Sequence, residues 1–307
     1  MTITFAADGG DLRVPEVANA LLHVLLVDLT DLYQVGMVNL GDMAGLGSDT
    51  SNVSQVDLDD AMTAPVEGAT IAITDPGTAS VQVAIARQAL RRSATDLFIG
   101  TGAPGMAYDA ATLAMDARNS IVLRRTGLVA SLFSAVANTV GTTTVDLDVD
   151  DIRDAMFQLQ TARNSPPFFC TLFPEQLNNF QQSLSGEGGA VQFEAATAGM
   201  IQAKGPGYAG NWHGIEFYSS DQVPTANAGA DSNGCMWARG AFGYAEAAIA
   251  PMLSAAGVIK SAVPGNAVAW IEESRTPDLG TTDFTYNYYT GVVEIEDLRA
   301  VGIVTDR

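Results

Sequence analysis

The stretch from Pro104 to Val136 places the strongest constraint on the fold. Its apolar residues recur every three or four positions, with one gap at Arg124, so they predict one stripe along a single helix. Pro104 suits the first turn because its missing N–H costs nothing there. At about 1.5 Å per residue the helix would be roughly 50 Å long, either as a core helix or as a strut. The stripe comprises Met106, Ala110, Leu113, Ala117, Ile121, Leu128, Leu132 and Val136, and the polar side comprises Asp109, Thr112, Asp116, Asn119, Arg125 and Ser131.

The net charge limits which partners the chain can have. Its 307 residues include 35 acidic and 15 basic ones, which gives a charge of −20. A chain this acidic does not bind nucleic acid through a general electrostatic surface. Only Lys204 and Lys260 are lysines. Acidic, lysine-poor chains stay soluble in salt, so a marine or halophilic host is one hypothesis and an acidic surface without ecological meaning is the other. Solubility across a salt series separates them.

Composition predicts a folded chain with a substantial core. Hydrophobic residues make up 47% of the sequence and charged residues 16%, unlike a disordered chain. No apolar run reaches the roughly 18 residues of a membrane span, and residues 1–11 lack the basic and apolar segments of an export signal. Cys170 and Cys235 are isolated, which favours a reducing compartment over a disulfide or zinc framework.

The region before the long helix predicts an extended hairpin. An extended arm and a helix over residues 14–33 come first, and the glycine-rich residues 36–54 predict a loop. Two alternating segments, Val66–Ile73 and Ser80–Arg87, then flank the turn Thr74–Gly77 and predict a long β-hairpin. A lone hairpin is only marginally stable, so we expect it to lie on a partner surface such as another copy of the chain. The apolar residues expected there are Val66, Ile71, Ile73, Val81 and Val83.

Two motifs separate the hairpin from the long helix. Arg87, Arg91 and Arg92 lie within six residues, either as a charge contact with another subunit or as a solvated face. The segment Gly100–Gly105 matches GxGxxG and opens a helix, as in a dinucleotide-binding loop. Against this interpretation, Pro104 removes an N–H near the phosphate site and no second strand ends in a suitably spaced acidic residue. A nucleotide-dependent enzyme is therefore the weaker hypothesis.

The second half predicts a helix–strand–helix unit followed by strands. Asp146, Asp148, Asp150 and Asp151 resemble the start of a calcium loop, but Asp151 replaces its glycine and Phe157 its bidentate glutamate. An acidic first turn of a helix is the simpler interpretation, because carboxylates favour the positive end of the helix dipole. That helix runs to about Arg163. Next come a buried strand, Phe168–Phe173, a helix, Pro174–Leu184, and strands at Ile215–Tyr218, Val268–Glu272, Asp283–Tyr289 and Leu298–Val304.

The sequence predicts no catalytic centre. His23 and His213 lie beside large apolar residues and are interpreted as packing residues. No Ser/His/Asp or Cys/His set is supported by spacing, so we expect no catalytic residue, cofactor or metal site.

The order of these elements resembles that of a family of shell proteins. The resemblance covers nearly the whole chain and rests on element order and short motifs. It is carried by Val83–Leu97, the long helix, Val145–Pro174, Gly214–Ser219, Arg239–Ala247, Gly291–Glu294 and Val301–Asp306. In these respects the chain is similar to major capsid proteins of tailed bacteriophages and related archaeal viruses, which have the α+β HK97-like fold.

The resemblance implies a division of the chain. It assigns residues 1–55 to an N-terminal arm and helix and residues 56–99 to an extended hairpin loop. Residues 100–144 would hold the spine helix of the peripheral domain, and residues 145–263 the axial domain. Residues 264–290 would return as peripheral-domain strands, and residues 291–307 as a closing strand of the axial domain. The polar face of the spine helix should then meet other subunits or the shell interior.

The resemblance also implies a function and partners. Such proteins assemble as pentamers and hexamers into an icosahedral shell around double-stranded DNA, without a membrane. The implied partners are further copies of the chain, a portal, a scaffolding protein and a cement or decoration protein. The implied location is the virion, after assembly in the host cytoplasm. A net-negative wall does not hold DNA by counterion release, so the genome would be driven in by a motor.

Two departures from the family pattern change these expectations. Some members join subunits through a lysine–asparagine isopeptide bond, but no lysine lies between Val56 and Ile99, so we expect non-covalent contacts or a cementing protein. Many members begin with a cleaved scaffolding segment. Here the arm begins within the first residues, which predicts a separate scaffolding protein. The alternatives are an encapsulin-like nanocompartment shell, which shares the fold, the nucleotide-dependent enzyme, and an extracellular lattice protein.

Overall fold

The computed structural model describes residues 32–45, 48–56, 78–95, 110–186, 193–256 and 268–307. Its helices are α1 (Ala110–Phe133), α2 (Val149–Thr161), α3 (Pro174–Gly186), α4 (Ala198–Lys204) and α5 (Ala250–Ala255). Its strands are β1 (Val38–Asp42), β2 (Thr50–Val56), β3 (Thr78–Ala84), β4 (Ala86–Thr95), β5 (Thr139–Val140), β6 (Phe168–Leu172), β7 (Glu194–Ala195), β8 (Tyr208–Trp212), β9 (Ile215–Ser219), β10 (Thr225–Ala226), β11 (Asp231–Ala238), β12 (Phe242–Glu246), β13 (Ala269–Thr276), β14 (Thr281–Glu294) and β15 (Ala300–Asp306).

The long strand β14 organises a five-stranded sheet. It pairs antiparallel with β13, β4 and β12, and β1 joins β12 in parallel. Aromatic residues at alternate positions of β14 point to one face because successive strand residues alternate. These residues, Phe284, Tyr286 and Tyr288, pack with Leu113 and Ile121 of α1. The stripe on the long helix therefore covers this sheet.

An eight-stranded sheet forms the other layer. Its order is β5-β15-β11-β6-β9-β8-β7, with β10 paired to β11. The strand β6 lies between β11 and β9, and the side chains of Phe168, Cys170 and Leu172 are fully buried. Helices α2 and α3 contribute Leu159 and Phe180 to the same core. This confirms the predicted helix–buried strand–helix unit.

A third cluster joins the two sheets. The C-terminal part of α1 supplies Val129 and Phe133, which pack with Trp237 of β11 and Phe242 of β12. Trp237 lies 5.6 Å from Phe133 and 5.7 Å from Phe242 between ring centroids. The helix thus contacts the five-stranded sheet with its first half and the junction with its second half.

Several predictions about local structure were wrong. Residues 36–54, predicted as a loop, include β1 and most of β2. The partner of β3 is β2, with Val81 opposite Val53; the predicted first hairpin strand and the turn after it lie outside the described residues. The pattern failed because β2 contains mostly small polar residues.

The polar side of the long helix was also misassigned at one position. Arg125 was predicted to lie there, but only 7% of its surface is exposed. The buried stripe continues at four-residue steps from Ile121 through Arg125 to Val129 and Phe133, and does not shift to Leu128 and Leu132. The acidic start of α2 was predicted correctly: Asp148 caps the helix and forms a reciprocal capping box with Asp151.

Candidate subunit-contact surface

The ribbon of β2 and β3 extends from a base inside the chain's own core. Val83 is fully buried and packs with Met43, Ala245 and Ala247. Gly291 lies against this base: a Cβ atom there would be 2.0 Å from the Ala84 carbonyl oxygen. Only a residue without a Cβ allows this approach. The close packing holds the base of the ribbon against the five-stranded sheet.

The predicted contact residues of the hairpin have different positions. Val83 is not accessible to a neighbouring subunit, whereas Val81 is half-buried opposite Val53. Val66, Ile71 and Ile73 lie outside the described residues, as does the Gly100–Gly105 loop. The apolar contact predicted for the hairpin stays a prediction.

The strand β4 presents the predicted arginines on an exposed edge. Along its ten residues only Ala94 is buried. Arg87 donates from Nε to Asn287 Oδ1 over 2.9 Å. Arg92 donates from Nε and Nη2 to the two carboxylate oxygens of Asp116 over 3.1 and 3.2 Å. These contacts attach β4 to β14 and to α1.

A third arginine pairs with a buried carboxylate. The Asp283 side chain is 2% exposed, and it accepts a charge-assisted hydrogen bond from Arg91, whose side chain is 65% exposed. This hydrogen bond is the main reason that the pKa of Asp283 lies below its usual value. The Arg91 side chain remains largely in solvent, so it can meet a second acidic partner.

Asp116 links the helix to the sheet a second time. Its Oδ2 accepts from the Tyr286 hydroxyl over 2.8 Å, besides the pair with Arg92. Two strands therefore converge on one carboxylate of α1. The arginine-rich segment is joined to acceptors within its own chain, which is neither the contact with another subunit nor the solvated face that the sequence predicted.

Arg125 forms the polar centre of this region. Its Nη2 lies 2.7 Å from Glu246 Oε1, and its Nε donates to the Tyr288 hydroxyl over 2.7 Å. The guanidinium also lies over the rings of Tyr33 and Tyr288, at 5.3 and 4.9 Å from their centroids. The Tyr288 hydroxyl donates to Glu246. Burial is the main cause that raises the pKa of Tyr288.

This network connects four elements that are far apart in the sequence. Tyr33, in a short 3-10 helix at Leu32–Gln34, shares a hydrogen bond of 3.0 Å with Thr290 and stacks on Tyr244 at 4.5 Å. The charge is compensated within the chain, so the network holds α1, β12 and β14 together. The four-residue spacing from Ile121 to Val129 was the signal that could have placed Arg125 inside.

The described residues show no group of three or more histidine, cysteine or acidic side chains arranged to hold a metal ion. Within the same ranges, no helix is long and apolar enough to cross a membrane. Cys170 and Cys235 are free thiols with no exposed surface, and burial raises the pKa of each. Neither thiol is placed for reaction with a solute.

Comparisons with known proteins give structural matches and no sequence matches. No family model and no curated protein matches the chain. The capsid of Ralstonia phage GP4 superposes with a TM-score of 0.62 at 12% identity, covering 99% of this chain and 95% of that one. The capsid of cyanophage P-SCSP1u has a TM-score of 0.59 at 12% identity, covering 100% and 93%. The SrpI encapsulin of Synechococcus elongatus has a TM-score of 0.57 at 13% identity, covering 100% and 92%.

These matches span almost the whole chain and almost the whole of each matched protein. They are therefore matches of the whole fold and not of one part of it. At these identities they establish the fold and not the biological role. The chain has the α+β fold of HK97-like shell proteins.

Proposed function

We propose that the chain is a major capsid protein that assembles as pentamers and hexamers into an icosahedral shell around double-stranded viral DNA. The observation that carries the proposal is the end-to-end likeness to capsid subunits, 99% of this chain against 95% of the phage GP4 protein. In this role residues 100–144 and 264–290 form a peripheral domain with α1 as its spine. Residues 145–263 and 291–307 form an axial domain.

The exposed parts of the chain support assembly with other copies. The ribbon exposes Asn52, Ser54, Ser80 and Gln82, and β4 has most of its residues exposed on both faces. An exposed strand edge is a ready site for pairing with another chain. Val66, Ile71, Ile73, Val81, Arg87, Arg91 and Arg92 are the residues that we assign to this contact, with Val83 holding the ribbon base.

Microscopy of the purified protein tests the proposal. We expect negatively stained images at several salt concentrations to show closed polyhedral particles or sheets of hexamers. Replacing residues 57–77 with a short glycine–serine linker keeps β2, β3 and the buried Val83, and should abolish particles while urea unfolding of the subunit stays cooperative. A small oligomer of uniform size under every condition would contradict the shell function.

An encapsulin-like nanocompartment is the second candidate. The specific observation in its favour is that the SrpI encapsulin matches over 100% of the chain with a similar TM-score. The contents of native particles distinguish the two shells. Nuclease-protected double-stranded DNA supports the capsid, and a folded protein cargo without DNA supports the nanocompartment. Separate portal, scaffolding and cement proteins would copurify only with the capsid.

A further inference from the structure

A groove between β4 and α1 holds one positive charge that the chain does not compensate. Its volume is about 350 Å³. The described residues that line this Arg124 groove are Gln88, Ala89, Leu90, Ser120, Ile121, Arg124, Tyr286 and Tyr288. Arg124 is the only charged residue among them; it is exposed, and its Nε donates to the neutral side-chain oxygen of Gln88 over 2.7 Å. Within the described parts of the chain, Arg124 forms no ion pair.

The carboxylates that adjoin the Arg124 groove through its tyrosines are already paired. The hydroxyl groups of the two groove tyrosines donate to Asp116 and Glu246. Asp116 pairs with Arg92, and Glu246 pairs with Arg125. The charge of Arg124 is therefore left for an anion from outside the subunit. Because the other lining residues are uncharged, an anion attached to an apolar group fits this groove better than a free anion does.

The turn between β13 and β14 presents such a combination. Pro277–Leu279 form a single 3-10 turn, which Gly280 closes in the left-handed conformation with φ 56° and ψ 41°. Leu279 is 73% exposed, more than any other large apolar side chain that the structure describes. Asp278 beside it is exposed and forms no ion pair with a described residue. The proline fixes one backbone angle of the turn, so docking costs the turn little conformational freedom.

The turn of one subunit cannot reach the groove of the same subunit. The turn immediately precedes Thr281, where β14 begins, whereas the groove contains Tyr288 of the same strand. At about 3.4 Å per residue, these two positions are about 24 Å apart along the strand. The occupant of the groove must therefore come from another molecule, and a second copy of the chain carries the matching turn.

We propose that the turn Pro277–Gly280 of one subunit docks in the Arg124 groove of the next subunit. Leu279 lies against the apolar walls, and the Asp278 carboxylate pairs with the Arg124 guanidinium. The contact is head to tail, and a contact of this type closes into a ring when the rotation between subunits is an integral fraction of a turn. The proposal rests on the shell function and specifies one pair of surfaces in it.

Complementarity favours a second copy over nucleic acid as the occupant. Nucleic acid binds chiefly through many contacts between phosphates and cations, and the groove offers one guanidinium. Leu279 and Asp278 match the groove in both respects, with an apolar side chain for the apolar walls and a carboxylate for the guanidinium. The contact also removes an acidic residue from the surface of a subunit with a charge of −20.

Charge reversal with rescue tests the proposal. The variants R124D and D278R should each raise the protein concentration needed for particle formation by about tenfold or more, because like charges would then meet in the groove. The double variant R124D/D278R restores opposite charges and should assemble like the wild type. Urea unfolding of the three variants should match that of the wild type, because both residues are exposed.

The assembly results separate this contact from the shell function. Unchanged assembly of the single variants, or failure of the double variant to recover, would overturn the docking contact while leaving the shell function intact. A wild type that never assembles would overturn both.

A photo-cross-linking test does not depend on tolerance of charge reversal. The probe p-benzoylphenylalanine takes the place of Leu90, which lines the groove and is 36% exposed. In irradiated particles we expect covalent dimers on a denaturing gel, with mass spectrometry placing the attachment at residues 277–280 of the second copy. The same probe in place of Phe157, which is 66% exposed, is the control and should not attach to that turn. Attachment of the Leu90 probe to another segment, such as residues 57–77, or to DNA would overturn the proposal.

Discussion

The two sheets of this subunit are stabilised in different ways. The eight-stranded sheet and its helices enclose a large apolar core in which Phe180 stacks on Phe217 at 5.0 Å and meets Trp212 edge-on at 5.6 Å. The five-stranded sheet has a smaller apolar contact with α1 and depends on ion pairs through Arg92, Arg91 and Arg125. The first region resembles a self-sufficient domain core. Within the described residues, the second leaves the Arg91 side chain and most of β4 exposed to solvent.

This difference predicts that packing mutations are most costly in the eight-stranded region. Phe180→Ala should lower the free energy of unfolding by about 3–5 kcal/mol, because it removes a fully buried ring and leaves a cavity. Urea denaturation followed by circular dichroism measures the change. Phe157→Ala, which truncates a phenylalanine with 66% of its surface exposed, is the matched control and should change stability by less than about 0.5 kcal/mol. Equal losses in the two variants would contradict the assignment of Phe180 to the core of the eight-stranded region.

The second prediction concerns the polar centre of the five-stranded region. Arg125→Met should lower the free energy of unfolding by about 2–4 kcal/mol, because Glu246 and the Tyr288 hydroxyl would lose their buried partner. The variant Arg125→Met/Glu246→Leu/Tyr288→Phe also removes the polar groups that the single substitution leaves without a partner. It should therefore recover most of the lost free energy of unfolding. Thermal and urea unfolding of the three proteins decide this. A triple variant no more stable than Arg125→Met would show that the network itself, and not the orphaned charge, supplies the stability.

The contrast between the regions also explains what the sequence could predict. In the eight-stranded region each element carried its own signal: the capping residue Asp148, the apolar run Phe168–Leu172 and the proline that opens α3. In the five-stranded region the deciding contacts join residues that are far apart, such as Arg125 with Glu246, and local periodicity carries no information about them. A pattern that classifies arginine as polar puts Arg125 on the wrong face.

The ribbon also could not be predicted from local sequence patterns. The sequence of β2 is typical of a loop because it contains Thr, Ser, Asn and Gln and only two valines. Its pairing with β3 spans 21 residues that lie outside the described ranges. The overall fold, in contrast, followed from the order of the elements and is confirmed by structural matches over the whole chain. The intersubunit residues and the domain boundaries stay predictions, because they depend on surfaces that one subunit does not contain.

The third prediction tests the junction between the two regions. Glu294, at the end of β14, has a pKa raised to about 7, chiefly by burial and then by Asp297. The folded protein therefore holds a proton that the unfolded chain releases near pH 4.5. The contribution of the Glu294 carboxyl group to the free energy of unfolding is fully present below pH 4.5 and is lost as the pH rises through 7. At pH 8 the free energy of unfolding of Glu294→Gln should exceed that of the wild type by about 1 kcal/mol, after allowance for solvent screening.

Unfolding curves of Glu294→Gln and the wild type at pH 5 and pH 8 measure this effect. At pH 5 the two proteins should have nearly the same stability, because Glu294 is then protonated in the folded state. Asp297→Asn is the second comparison: it removes the neighbouring carboxylate but not the burial, so the pH dependence should shrink without vanishing. A constant difference between Glu294→Gln and the wild type at both pH values would rule out titration of this carboxyl group.

The smallest effect is expected at the exposed edge of the five-stranded region. Arg92→Gln breaks the ion pair with Asp116. In this pair the Arg92 side chain is 44% exposed and the Asp116 side chain is 31% exposed. A pair this open to solvent contributes only about 0.2–1 kcal/mol, and Asp116 keeps its hydrogen bond from Tyr286. Urea unfolding should therefore change little, whereas particle formation should weaken if Arg92 also meets an acidic neighbour. The loss should be greatest in dilute salt, because screening reduces the contact in the wild type as well. Unaltered assembly at every salt concentration would show that Arg92 only attaches β4 to its own helix.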